Sequence, residues 1–312
     1  SLFRSEVIQA CRSWKDDYVG LMVESLGEAQ GTNVLAEFPG GFPAGYRERF
    51  APHSAVVDMQ HLLSLSDKRP LVMSFYQPLA QGDQQLHCKL YHADTPLPLS
   101  DVLPVMENMG LRVLSEHPHR IDAGGDIFYV QDFEVEAVGV ELDLERIGPA
   151  FEEAVARLWR DEAENDGFNR LIVLAGLDWR QVAMLRAYSK YLLQAGVPFS
   201  QAYMEQTLAR YPLLSRLLVE LFESRFHPAT GRETRAQIGE GVEQLRAQFA
   251  SLTGGNADAM AALEPVLQAR EGDRAGQYTA ARQALAALLD GVGSLDEDRI
   301  LRGFIGVIDA TL

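Results

Sequence analysis

The chain has 312 residues, 47% of them hydrophobic and 23% charged, which excludes a low-complexity or disordered polymer and leaves room for two domains. Its net charge of −16, from 28 basic and 44 acidic side chains, falls on both halves of the chain and repels phosphate backbones and anionic lipid. No nucleic acid or membrane surface is therefore expected as a partner. The longest uninterrupted run of apolar residues and glycine, Leu171 to Leu177, is too short to span a bilayer.

No basic segment followed by an apolar one opens the sequence, and Cys11 and Cys88 are too few for a disulfide framework, so a cytoplasmic location is expected. The chain begins without methionine and ends inside an apolar helical stripe, as a segment of a longer protein would.

Phe3, Val7, Ala10, Trp14, Tyr18 and Leu21 recur at three- and four-residue spacing, which predicts one long leading helix. Residues 28–52, with Gly31, Pro39, Gly40, Gly41, Pro43, Gly45 and Pro52, read as a loop or linker. Val56, Met59, Leu62 and Leu63 mark a helix over about 53–66. Leu71 to Tyr76 alternates as a strand, residues 81–85 supply a turn, and Leu86 to His92 is the hairpin partner. Ser100 or Asp101 caps a helix that Gly110 stops. Leu111 to Leu114 and Ile127 to Val135 are two further strands around a loop holding Gly124 and Gly125. This order predicts an α+β unit of ferredoxin-like βαββαβ plan, an antiparallel sheet with helices on one face. Such a sheet has a second face to hide, which predicts a partner, either another module of the same chain or a second subunit.

Beyond residue 140 the spacing is helical. Asp178 and Ser200 are N-cap candidates, and Pro212 opens a leucine-dense helix. Ser294 with Glu297 spells a capping box before Ile300, Leu301, Phe304, Ile305 and Ile308. The expected domains are a leading helix (1–35), an α/β domain (36–140) and an all-α domain (141–312).

Reactive constellations are sparse. No glycine pair follows a strand with dinucleotide or phosphate-loop spacing, and HExxH, GxSxG and CxxC are absent. His87 and His92 flank Cys88 but, five residues apart on a strand, face opposite ways, one expected in the packed layer and one in solvent. Cys88, in phase with Leu86 and Leu90, reads as core. His117-Pro118-His119 reads as a surface turn, and Asp132 with Glu134 as a solvated carboxylate pair. The best group for gripping a carboxylate, or for an interface, is Gly45, Tyr46, Arg47 and Arg49. Salt bridges from these arginines to Glu37, Glu48 or Asp58 are the structural alternative.

Certain strings carry more than periodicity. Phe42-Pro43-Ala44-Gly45-Tyr46-Arg47-Glu48-Arg49-Phe50, Phe168-Asn169-Arg170-Leu171, Ala175-Gly176-Leu177-Asp178-Trp179-Arg180, Leu185-Arg186-Ala187-Tyr188, Pro198-Phe199-Ser200-Gln201 and Glu205-Gln206-Thr207-Leu208 follow one another along the chain. Together they resemble the large bacterial NAD-specific glutamate dehydrogenases. The resemblance implies a middle segment, with ACT-like modules leading into helices upstream of the catalytic domain. It implies NAD and oxidative deamination of L-glutamate to 2-oxoglutarate and ammonia for the parent enzyme.

For this segment it implies no catalytic, cofactor or metal residue. The family's catalytic lysines lie in glycine-rich surroundings, whereas Lys15, Lys68, Lys89 and Lys190 have no glycine neighbour. A non-catalytic regulatory or scaffolding role is expected. Its expected partners are the rest of the same polypeptide, a second subunit in a homo-oligomer, and an amino-acid effector. A stand-alone amino-acid-sensing or assembly module is the alternative.

Overall fold

A computed structural model describes residues 13–38, 41–78, 86–123, 125–138, 143–227, 235–269 and 274–311. The stripe from Phe3 to Ala10, the turn at 81–85 and Gly124 lie outside these residues. Contacts group the chain into two compact units. The first holds the described residues up to Glu107 with 111–138 and 155–160, and the second holds the remainder.

The first unit opens with four helices: α1 (Trp14–Leu26), α2 (Glu28–Glu37), α3 (Ala44–Arg49) and α4 (Pro52–Leu63). Ser13 and Asp16 form a reciprocal capping box at the start of α1. Residues 28–52, expected as a linker, are thus largely helical. Gly27 breaks the chain direction at φ 82, and Gly31 lets α2 approach α1 closely. A Cβ at Gly31 would lie 2.9 Å from the Val23 Cα. These glycines serve helix packing, which the sequence pattern could not distinguish from a linker.

Four strands follow: β1 (Leu71–Tyr76), β2 (Leu86–Ala93), β3 (Leu111–Ala123) and β4 (Asp126–Ala137), with helix α5 (Leu99–Asn108) between β2 and β3. The sheet is antiparallel throughout, in the order β1-β2-β4-β3. The α+β class and the antiparallel sheet are as the sequence predicts. The order of elements differs from βαββαβ in one respect: among the described residues no strand precedes α4. The position beside β2 that a first strand would take is filled by β4, returning from a long hairpin with β3.

That hairpin absorbs the stretch expected as a loop after Leu114. Pro118 sits within β3, where it is tolerated because β3 is an edge strand.

Both sheet faces are buried within the chain. Leu71, Met73, Cys88, Leu90, Phe133 and Val135 share one face and are at most 4% exposed. The opposite face carries Val72, Tyr91, Val130 and Ile121, which join Met22, Phe42, Tyr46, Met59 and Leu62 of the leading helices in one core. The second face that the sequence expects to be hidden is thus filled among the described residues.

The second unit is helical. Its elements are α6 (Leu144–Trp159, whose last turn from Val155 belongs to the first unit), a 3-10 turn at Gly167–Asn169, α7 (Arg170–Ala175), α8 (Trp179–Gln194), α9 (Gln201–Arg210), α10 (Pro212–Phe226), α11 (Arg235–Thr253), α12 (Ala257–Ala269), α13 (Arg274–Leu289) and α14 (Leu295–Ala310).

The expected caps form: Asp178 and Gln181 make a reciprocal box, and Ser200 accepts from the Tyr203 amide. Ser294 caps α14, but the Glu297 carboxylate does not reach back to it. It is committed instead to the Arg210 guanidinium and, at 2.8 Å, the Tyr211 hydroxyl. The apolar stripe of α14 is buried within the described chain. Arg225 closes the end of that helix by donating to the carbonyls of Ile308, Asp309 and Thr311 at 2.7–2.9 Å.

Candidate functional site

Strand β2 reads Leu-His-Cys-Lys-Leu-Tyr-His and is buried on both faces, so its alternate residues place His87, Lys89 and Tyr91 in the layer beneath the leading helices. A lysine there is held in place only by compensation. Helix α4 supplies it: the Asp58 carboxylate accepts from Lys89 Nζ at 2.6 Å, from the Tyr91 hydroxyl at 2.8 Å, and from the Tyr46 hydroxyl. The Lys89 ammonium also lies 3.7 Å from the Phe50 ring centroid and 4.8 Å from that of Tyr76.

One strand further in, Asp132 of β4 pairs across from Lys89 and is fully buried. It accepts from Tyr76 at 2.7 Å and from Arg49 Nε at 3.2 Å, and the His87 Nδ1 lies 3.5 Å away. Two ion pairs, Lys89–Asp58 and Arg49–Asp132, therefore stand side by side under α3 and α4. Burial, together with the negative charge of these carboxylates, pushes the Tyr46, Tyr76 and Tyr91 hydroxyls well above the ordinary phenol range, so they act as hydrogen-bond donors.

A cleft of about 770 Å³ opens beside this cluster. Its walls come from the turn joining α3 to α4 (Arg49, Phe50), the first two turns of α4 (His53, Ser54, Val57, Asp58, with His61 beyond) and strands β1 and β2. Burial holds His61 below the usual imidazole range, and Asp58 only partly offsets this. The cleft thus presents neutral imidazole, hydroxyls and a guanidinium edge around an apolar floor.

The sequence candidates separate. Arg49 lies on the cleft and Tyr46 in the buried cluster, whereas Gly45 and Arg47 are exposed on α3. Neither arginine takes the expected partner, because Arg49 reaches Asp132, which is 83 residues away in sequence. Several expectations are corrected by the fold. His87 and His92 do face opposite ways, but both are buried. His92 stacks on Tyr129 at 5.3 Å and its Nε2 meets Gln131 at 2.8 Å.

Asp132 belongs to no solvated face, and Glu134 accepts from Ser115 at 2.7 Å. His117-Pro118-His119 is strand and not turn, with the His119 ring edge-on to Tyr46 and Phe50. Cys88 is core as expected, and burial raises its thiol pKa. The sequence offers Asp58 only as a partner for the arginines and Lys89 only as a lysine without a glycine neighbour, and it does not single out Tyr91. The available signal was a lysine alternating with Leu86, Cys88 and Leu90 in a strand that is buried on both faces.

Among the described residues no group of three or more His, Cys, Asp or Glu could hold a metal ion, and no helix is long and apolar enough to cross a membrane.

Comparison with known proteins returns one family throughout. Residues 21–65 match glutamate dehydrogenase helical motif 2, residues 70–147 the glutamate dehydrogenase ACT3 domain, and residues 163–228 glutamate dehydrogenase helical motif 3. The chain is 50% identical over 309 residues to an NAD-specific glutamate dehydrogenase of Pseudomonas aeruginosa and 37% identical to one of Halomonas elongata, each over 98% of its own length. It is 32% identical, over 97% of its length, to one of Mycobacterium tuberculosis. It spans only 16–17% of the length of these relatives. The buried cluster draws on two of the matched segments, Tyr46 and Asp58 from helical motif 2, and Lys89 and Asp132 from ACT3.

Proposed function

We propose, from the premise that this chain matches a helical motif 2–ACT3–helical motif 3 segment of the large NAD-specific glutamate dehydrogenases, that it is a non-catalytic regulatory and scaffolding part of such an enzyme. The carrying observation is the contrast in coverage: nearly the whole chain matches, yet it accounts for about a sixth of each relative. The parent enzyme would oxidise L-glutamate to 2-oxoglutarate and ammonia with NAD as acceptor, in the cytoplasm, and the reacting groups would lie elsewhere in it. No lysine here has the glycine-rich surroundings of the family's catalytic lysines, and Lys89 is neutralised by Asp58 and boxed by aromatic rings. It is therefore positioned to brace a sheet.

The partners in this reading are the rest of the same polypeptide and a second subunit. An amino-acid effector would act by favouring one arrangement of the segment over another. The isolated chain is expected to give no glutamate-dependent NADH formation, and turnover would overturn the non-catalytic reading. In the full-length enzyme, deleting the segment is expected to alter either the oligomeric state on size-exclusion chromatography or the response of the rate to added amino acids. An enzyme unchanged on both counts would overturn the regulatory and scaffolding reading.

A further inference from the structure

We propose that the cleft beside α4 binds a small organic carboxylate that carries no ammonium group, an oxo acid in preference to an amino acid. Arg49 supplies the anchor. Its side chain is about a third exposed on the cleft wall, and it gives Asp132 only its Nε–H. The planar edge formed by its two terminal nitrogens has no partner among the described residues, and that edge is the fork that receives a carboxylate with two parallel hydrogen bonds. Next to it α4 begins at Pro52 with no side-chain cap, and although the Ser54 amide donates to the Ala51 carbonyl at 3.1 Å, the positive end of the helix faces the cleft at His53. His87 closes the wall beside Arg49: it is 5% exposed, lines the cleft, and turns its Nδ1 to the Asp132 carboxylate at 3.5 Å. Phe50, Val57 and Pro78 supply apolar contact for a short carbon skeleton.

The exclusion of an amino group follows from acceptor bookkeeping. An α-ammonium needs a carboxylate or several carbonyl oxygens when taken out of water. Asp58 is the carboxylate of the cleft wall, and its oxygens already take Tyr46, Tyr91 and Lys89. Asp132, behind the wall, is taken by Arg49 and Tyr76. A cation arriving beside Lys89 would therefore meet an ammonium with no free counter-charge, whereas an uncharged oxo group meets neutral hydroxyls and imidazole.

This concerns binding by the chain itself and stands apart from the regulatory reading, since no activity of a parent enzyme enters its test. The 312-residue chain is titrated calorimetrically with 2-oxoglutarate, with L-glutamate, which differs only at the α-substituent, and with inorganic phosphate. Saturable binding of 2-oxoglutarate is expected, with L-glutamate at least about tenfold weaker because its ammonium is left unsatisfied. Phosphate is expected not to compete. Arg49→Lys keeps the charge and loses the fork, and is expected to weaken 2-oxoglutarate about tenfold. Val57→Asp adds a negative charge at a position 48% exposed, so it spares the core and should weaken binding as well. Equal affinity for the two acids, displacement by phosphate, no binding of 2-oxoglutarate, or unaltered binding by both variants would each overturn the proposal.

Discussion

Asp58 accepts three hydrogen bonds while 2% exposed, and Lys89 is 3% exposed, so each is held in the interior only by the other and by the tyrosines around them. Removing one partner leaves a buried charge without compensation. Asp58→Ala is expected to cost about 3–5 kcal/mol of folding free energy in a denaturant titration, and adding Lys89→Met should recover part of that loss. A double variant no more stable than Asp58→Ala would refute this coupling. Histidines on both sides of the sheet set a pH dependence. Burial holds His61, His92 and His119 below the ordinary imidazole range.

The unfolded chain takes up a proton at each of these positions near pH ~6.5 while the folded chain does not. Stability is therefore full above that pH and falls as pH drops through the interval down to the depressed folded values. For the buried His92 the slope is at most about 1.4 kcal/mol per pH unit, and His92→Gln should flatten the dependence of the unfolding midpoint between pH 7 and 5 by that share. An identical profile in the variant would remove His92 from the account. Of this site, Arg49 and Tyr46 were legible as residues beside a glycine-rich turn, because composition marks such places. Their partners were not, since Asp132 lies 83 residues from Arg49 and only strand pairing brings it near.

At the level of elements, glycine and proline carried the least transferable information. Gly31 looks like a linker residue, yet it packs against the α1 backbone at Met22 and Val23, and a methyl group there would meet that backbone. Gly31→Ala is expected to destabilise the chain by about 1–3 kcal/mol despite raising helix propensity. A neutral or stabilising result in thermal unfolding would show that α2 can move away. Caps were more legible, because an N-cap bond is local and independent of fold. Asp178 accepts from the Arg180 and Gln181 amides at 2.8 Å, so Asp178→Ala should cost about 1 kcal/mol. An unchanged unfolding midpoint would contradict that local origin. Glu297 shows the limit of local reading: the capping-box spelling is present, but Arg210 and Tyr211, more than 80 residues earlier, compete successfully for the carboxylate. A charge-assisted bond to arginine is the stronger of the two.

For the molecule as a whole, the sequence by itself determined the class of fold, the position of most strands and helices, the caps of the second unit and the resemblance to glutamate dehydrogenases. Alternation, helical spacing and short side-chain–backbone bonds are all written within a few residues. The charge of −16 is equally explicit, and no retention on an anionic matrix is expected at physiological salt. Tertiary structure alone decided that β4 lies between β2 and β3, that both sheet faces are filled, and that Lys89, Asp58, Arg49 and Asp132 converge beside one cleft. Those facts depend on which distant segments pair, and pairing is governed by the burial of whole faces, a quantity that no single stretch of sequence carries.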